Sequence, residues 1–281
     1  MAVANGEFRR LGKKELGPYA LEEQMPGDIA KLLQDEDSSN SVAGVVPNLA
    51  QLLEHDSDVE KAYLCTDNAV QLSKLPNEGA HFCGYRNMQM LWSVLASMNA
   101  RLGSAKPTVL KLQALIEDAW DVGINDHGRI LTGGIKGTRK HVGTSEAEAL
   151  FLSLDIPCRG QVFSGKDAST QLLDSVEAYF SDSTSSSQRV NRTNRMPIFL
   201  QRPQHSITIV GIQKMRSGKR RLLIFDPAWS PPSKVRSPLS ESDCRGWKGQ
   251  LLLRRYRKSQ RYFGRFKEFE TLEIEQRGPD S

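Results

Sequence analysis

A cysteine stands at the threshold of an apolar helical run: His81-Phe82-Cys83-Gly84-Tyr85-Arg86-Asn87 leads into Met88 to Met98. A thiol at a helix N-terminus meets the positive end of the macrodipole and N–H groups that have no intrahelical carbonyl, and both favour thiolate at neutral pH. Cys83 is therefore a candidate nucleophile, although the same position suits a buried cysteine packed as a small hydrophobe. A thiolate that attacks an acyl carbon needs a histidine to hold the proton and pass it to the leaving amine. It also needs a third group to fix the tautomer of the imidazole. Of five histidines, His205 opens the apolar run Ser206 to Ile212, where a strand-edge side chain can project into a cleft. Asp226 closes the next run, Leu222 to Phe225, and Pro227 stops pairing there. Paired as an antiparallel hairpin, the two runs bring His205 and Asp226 to the same end of a sheet; taken alone, Asp226 equally suits a turn. His55 and His127 lie beside Asp56 and Asp126 in polar segments and read as surface residues. His81 is too near Cys83 in sequence to face it, and His141 adjoins a helix cap.

The elements that must hold these groups follow from periodicity. Tyr85 to Arg101 places Met88, Leu91, Leu95 and Met98 at helical spacing, and Val109 to Val122 repeats the pattern through Leu112, Leu115, Ile116 and Trp120. A third helix begins near Ser145, where Ser145 and Glu148 have capping-box spacing, after a loop from Gly133 to Gly143. Beyond Asp155 the signal changes to short strands: Gln161 to Ser164, Ile198 to Gln201, Ser206 to Ile212 and Arg221 to Phe225. A helix, Thr170 to Phe180, and a polar loop, Ser181 to Arg195, separate the first two; Lys214 to Arg220 reads as a long basic hairpin tip. Helices followed by a mainly antiparallel sheet give an α+β domain, expected over residues 46–281. Residues 1–45 are polar, with an acidic run Asp35 to Asn40, and are expected to form a flexible leader. Its one short helix, Asp28 to Leu33, reads either as a fraying end or, with Glu22 and Glu23, as a small partner-binding element.

The chain has 281 residues, 38% of them hydrophobic and 25% charged, which is the composition of an ordinary globular protein. No apolar run approaches the roughly 18 residues of a membrane span, and the N-terminus lacks the apolar block of a secretory signal. The expectation is a cytosolic or nuclear protein without a membrane partner. Cys65, Cys83, Cys158 and Cys244 show no CxxC spacing, so neither a metal site nor a disulfide framework nor any cofactor is indicated. The formal charge of +5 gathers near the C-terminus, in Arg254-Arg255-Tyr256-Arg257-Lys258, Arg261, Arg265 and Lys267. Such a run reads as a solvated face, with nucleic acid or an acidic protein as the minority reading.

Several separated motifs, in order, closely resemble those of the zinc-finger-associated ubiquitin peptidases, papain-like enzymes related to the proteases for the ubiquitin-fold modifier. They are Cys83-Gly84-Tyr85-Arg86-Asn87-Met88-Gln89-Met90-Leu91, Ile116-Glu117-Asp118-Ala119-Trp120, Gly137-Thr138, His205-Ser206 through Val210-Gly211-Ile212, and Leu223-Ile224-Phe225-Asp226-Pro227. The resemblance implies a papain-like fold and a deubiquitinase acting on polyubiquitin, with Cys83 as nucleophile, His205 as general base and acid, and Asp226 as orienter. The modifier-protease branch carries its aspartate two residues before the histidine; here that position is Pro203, which favours the ubiquitin branch. Relatives in that branch cleave the extended, non-proteasomal chain type, often through zinc-finger and helical ubiquitin-binding regions. With no zinc-finger spacing in this sequence, chain discrimination falls to the catalytic domain or the leader. The family's Gly-Trp-Gly before the cysteine is Ala80-His81-Phe82 here, so His81 either takes the aromatic's place or is exposed. Gln71 stands at the interval before the cysteine where related proteases hold an oxyanion tyrosine, with Asn87 as its rival; Trp229 is either a cleft wall or a core anchor. The competing readings are a non-catalytic module on the same fold that binds ubiquitin or nucleic acid, and a protease for another ubiquitin-like modifier.

Overall fold

A computed structural model describes residues 9–99, 102–103, 105–182 and 187–275. At its centre runs the His205–Met215 strand, buried without interruption from Ser206 to Gln213. The β-branched run Ile207-Thr208-Ile209-Val210 suits a strand covered on both faces. One of its edges pairs with Arg220–Phe225; the other is shared between Ile198–Arg202 along its first half and Val59–Leu64 along its second. The handover falls at Gly211, beside a bulge after Ile209, where a Cβ would come 2.3 Å from the Tyr63 carbonyl oxygen. Only glycine admits so close a neighbouring strand. The sheet continues outward in the order Cys158–Ser164, Glu268–Ile274, Ile198–Arg202, His205–Met215, Val59–Leu64, Val190–Arg192, and Arg257–Ser259 extends it beyond Arg220–Phe225. Pairing among the described residues is antiparallel except between Val59–Leu64 and Val190–Arg192.

The expected hairpin forms, with a shorter tip. Gln213 and Lys214 continue the ladder past the last apolar residue because backbone pairing does not need apolar side chains, and the turn closes through Gly218 at φ 77°. Against the central strand lies the Cys83–Met98 helix. From Gly84 to Trp92 every residue of it is buried, the polar Arg86, Asn87 and Gln89 included, so it is a core helix rather than an amphipathic one. Met98, expected in its apolar stripe, is exposed. The Val109–Asp121 and Ala168–Ser181 helices lie where the periodicity put them. The third helix is Thr144–Leu152, and its capping box is offset: Glu146 accepts the Gly143 N–H at 2.8 Å, while Glu148 accepts from the Asn125 amide at 3.1 Å.

The leader expected to be flexible is instead anchored to the fold, from the Leu11 N–H bonded to the Leu131 carbonyl at 2.8 Å onward. Leu16, Ala20, Met25 and Leu33 are buried, and the Gly27–Gln34 helix lies on the Val109–Asp121 helix. Glu22 is taken up internally by Arg139, whose Nε donates to it at 2.9 Å. A few well-placed anchors decide this, whereas average composition does not register them. Residues 1–8 of the leader, and 183–186 of the polar loop, lie outside the described residues. No helix among the described residues is long and apolar enough to cross a membrane.

Candidate active site

Cys83 is the first residue of its helix, after Phe82 at the N-cap, so its turn carries the unpaired N–H groups of a helix start. The next residue must be glycine: a Cβ on Gly84 would lie 2.4 Å from the Val142 carbonyl oxygen. The segment pressed there is clamped from the Val109–Asp121 helix. Glu117 Oε1 accepts the N–H groups of Ile135 and Lys136 at 2.7 and 2.8 Å, while Gln113 accepts from the Gly137 N–H at 2.9 Å and donates to the Thr138 carbonyl at 2.8 Å. Glu117 and Thr138, both in the motifs quoted above, thus fix the wall against the Cys83 turn.

One helical turn on, Asn87 Nδ2 donates to the Cys83 carbonyl at 2.8 Å and to Ser206 Oγ at 3.0 Å, and Asn87 Oδ1 accepts from Thr208 at 2.7 Å. Both donor positions of the amide are used. Asn87 therefore pins the helix to the central strand and has no donor left for an oxyanion.

The strand carries His205 to the same place. Thr208 pairs with Phe225, so His205 and Asp226 share one end of the hairpin, and His205 Nε2 lies 2.9 Å from Asp226 Oδ1. The Ala228 N–H donates to the same oxygen at 2.9 Å. With Nε2 held by the carboxylate, Nδ1 is the ring nitrogen left for another partner. Burial works to raise the Cys83 thiol, but the hydrogen bond and charge of His205, with help from the Ser206 hydroxyl and amide, hold it below the ordinary thiol value. Burial works to lower His205, but the Asp226 carboxylate and then Cys83 push it up to about 9. Asp226 is opposed by burial and held below the usual carboxylate range by His205. The other cysteines run the opposite way: burial raises Cys65 and Cys244 and pushes Cys158 up to about 12.

Gln71 lies on the Gln71–Leu72 strand, which packs against the nucleophile helix. It is fully buried, and neither Nε2 nor Oε1 has a hydrogen-bond partner. Its amide is thus bound to no other side chain or backbone group among the described residues. His81 is neither core nor free surface: it meets Tyr19 edge-on at 4.7 Å and stacks on His141 at 5.7 Å, so part of the expected leader forms the wall beside Cys83. His55 closes the Val45–Glu54 helix, its Nδ1 2.9 Å from the Gln51 carbonyl oxygen, and its neighbour Asp56 is buried against Arg257 at 2.5 Å. Trp229 lines a cavity of about 450 Å³ between the segment Ser73 to Gly79, which leads to Cys83, and the loop after Asp226. Among the described residues no three His, Cys, Asp or Glu side chains gather as a metal-ligand set.

Arg86 is the positioning residue that sequence reasoning missed. It is fully buried in the first turn of the Cys83–Met98 helix, where it bonds Glu78 at 2.5 Å, Gln89 at 2.8 Å and Glu36. A cation inside an apolar helical run was the available signal, since a buried arginine requires acidic partners.

A model of peptidase family C78 matches residues 58–272, a span that holds Cys83, His205 and Asp226. The chain belongs to peptidase family C78. It is 30% identical over 74% of its length to a mouse protein named zinc finger-containing ubiquitin peptidase 1, covering 37% of that protein, and to the human protein of that name to the same extent. The bovine protein is 35% identical over 57% of this chain and 29% of its own. The chain thus spans about a third of the length of these relatives. The crystal structure of UfSP from C. elegans superimposes with a TM-score of 0.51 at 14% identity, covering 79% of this chain and 36% of that one. That likeness concerns the fold alone and agrees with the α+β architecture expected from the sequence. Membership of that family fits a cysteine-type hydrolase, and the carboxylate at the imidazole comes from Asp226; Pro203, two residues before His205, only accepts a hydrogen bond on its carbonyl from Arg202 at 2.9 Å.

Proposed function

We propose that this C78 peptidase is a deubiquitinating thiol isopeptidase acting through Cys83, His205 and Asp226. The observation that carries the reading is the His205–Asp226 pair, 2.9 Å apart, beside a Cys83 thiol that His205 holds below its ordinary value. The Cys83 thiolate attacks the carbonyl carbon of the C-terminal glycine of ubiquitin. The negative charge that develops on oxygen meets the Cys83 backbone N–H and Gln71 Nε2. Collapse breaks the C–N bond as the imidazolium of His205 gives its proton to the departing lysine amine. Water, deprotonated by the now neutral His205, then releases ubiquitin from the thioester. Asp226 holds the imidazole in one tautomer and balances its charge throughout.

Ubiquitin is favoured over other modifiers by the ubiquitin-peptidase names of relatives at 30–35% identity and by a carboxylate at Asp226 rather than at position 203. The chain type we propose is the extended, non-proteasomal one. Ubiquitin carrying a C-terminal alkyne warhead tests the reading: a covalent adduct is expected with the wild-type chain and none with Cys83→Ala. No adduct, or faster capture of a different ubiquitin-like modifier probe, overturns it. A panel of di-ubiquitins of every linkage, digested by wild type and Cys83→Ser, decides the chain type.

Gln71→Ala is expected to lower kcat by about 10²-fold or more with little change in KM, because the donor acts on charge present only in the transition state. Steady-state kinetics on a ubiquitin C-terminal fluorogenic substrate check this. An unchanged kcat removes Gln71 from the oxyanion site.

A further inference from the structure

From Arg245 to Lys267 the chain carries nine lysines and arginines and no aspartate or glutamate. Arg245 is paired with Glu241, and Arg257 is buried against Asp56. Lys248, Arg254, Arg255, Arg261, Arg265 and Lys267 are all exposed and form no ion pair among the described residues. A stretch so rich in unpaired cations raises the local positive potential and favours a polyanion.

The detail lies on the Gly246–Tyr256 helix. Trp247, Gln250, Leu251 and Arg254 fall at i, i+3, i+4 and i+7 and so share one face. The opposite face, with Gly249, Leu253 and Tyr256, is buried in the fold. Trp247 is 73% exposed, which is exceptional for an indole that nothing covers. About 5 Å and about 10 Å along the helix from Trp247, Gln250 and Arg254 line a cavity of about 380 Å³ together with Arg221, Arg257 and Ser259. Arg257 is held by Asp56, Gln213 and Gln250; the guanidiniums of Arg221 and Arg254 are paired with no carboxylate among the described residues. Two free forks converging in a concave site match a phosphate, and an open indole on the same helix face offers a stacking platform for a base.

We propose that this face binds single-stranded nucleic acid, with phosphates held by Arg221 and Arg254 and a base stacked on Trp247. A duplex keeps its bases stacked inside and presents none to Trp247. A bilayer would want a continuous apolar face, and here only Trp247 and Leu251 are exposed on the helix as large apolar side chains. An acidic peptide would satisfy the arginines but leave the indole without a flat partner. The site is separate from Cys83 and stands whether or not the chain cleaves ubiquitin.

The test uses the whole 281-residue chain carrying Cys83→Ala. Fluorescence anisotropy is measured with labelled 20-nucleotide mixed-sequence DNA and RNA single strands, the matching DNA duplex, poly-glutamate, and anionic phospholipid vesicles. Single strands are expected to bind, with an affinity that falls as salt rises from about 50 to 200 mM. Arg221→Ala with Arg254→Ala should weaken binding and flatten the log–log salt slope by about 0.7 for each phosphate left without its arginine. Trp247→Ala should weaken binding about tenfold or more, and Trp247→Phe should restore most of it, because a phenyl ring still stacks. The relative affinities for DNA and RNA assign the natural strand. No binding at about 50 mM salt overturns the proposal, as does equal or tighter binding of duplex, vesicles or poly-glutamate. Single-strand binding indifferent to both the arginine and tryptophan variants overturns this site. Unchanged melting of each variant by circular dichroism shows that a weaker affinity is not unfolding.

Discussion

Replacing His205 by alanine is expected to lower kcat/KM on ubiquitin substrates by about 10³-fold or more, since in the proposed reaction the imidazole supplies the proton transfers of both half-reactions. The same change alters the nucleophile. In the intact protein His205 holds the Cys83 thiol below its ordinary value, so iodoacetamide is expected to label Cys83 readily between about pH 6 and 8. Without His205 only burial and the Ser206 contacts remain, and labelling should shift towards alkaline pH. The sign at the other limb is fixed by the imidazole. His205, raised to about 9, keeps its proton below that value and loses it above. Above it the thiolate loses its counter-charge and the leaving amine its proton donor, so turnover falls. Asp226→Asn removes the charge that raises His205 and should move this alkaline limb to lower pH. Cys65 and Cys158, both raised, act as unreactive controls in the same experiment. A labelling profile of Cys83 identical in wild type and His205→Ala would disconnect the two residues.

The triad candidates were legible because each stands at the end of an element that the sequence marks: a helix start at Cys83, a strand start at His205, a strand end before Pro227 at Asp226. One inference, that two apolar runs pair in a hairpin, brought the last two together, and the register Thr208 to Phe225 is that hairpin. What escaped were side-chain partnerships with no periodic signature. Glu36 reaches Arg86 across 50 residues, and the acidic run around Glu36 looks, by composition, like solvated chain. Asp56 looked like a surface neighbour of His55, and its partner Arg257 is 201 residues away. Tyr19 and His141 meet His81 only because the segment Leu16 to Ala20 lies along the segment Arg139 to Val142, tied by the His141 N–H donating to the Leu16 carbonyl at 2.9 Å. Local pattern determines elements; which charged residue ends up beneath which helix is decided by packing.

Glu36 is where that packing is put to the strongest test. Its carboxylate is fully buried; it accepts from Gln89 at 2.8 Å and from the Val109 N–H at 3.2 Å, and pairs with Arg86 and Lys106. Glu36→Ala leaves Arg86 with Glu78 as its one carboxylate beside the Gln89 amide and strands the other donors, and removing one partner of a buried pair costs about 3–5 kcal/mol. For a chain of this size the melting temperature should fall by roughly 10 °C, whereas Glu15→Ala, on the surface, should shift it by no more than about 2 °C. Burial works to raise the Glu36 carboxyl, but Arg86, Lys106 and Gln89 hold it below the usual carboxylate range. Its contribution is therefore present above the unfolded value of about 4.3 and is lost as pH falls through the lower folded value. The stability gap between wild type and Glu36→Gln should accordingly close on acidification below about pH 4, which a purely steric defect would not do. Deleting residues 1–45 should cost at least as much as Glu36→Ala, since it removes Leu16, Met25 and Leu33 from the core as well; an unchanged melting temperature would return the segment to the loose leader its composition suggests. Because Arg86 lies in the same helical turn as Cys83, the change must also reach the site: Glu36→Ala, assayed well below its melting temperature, should slow alkylation of Cys83 while Asp226 and His205 remain in place.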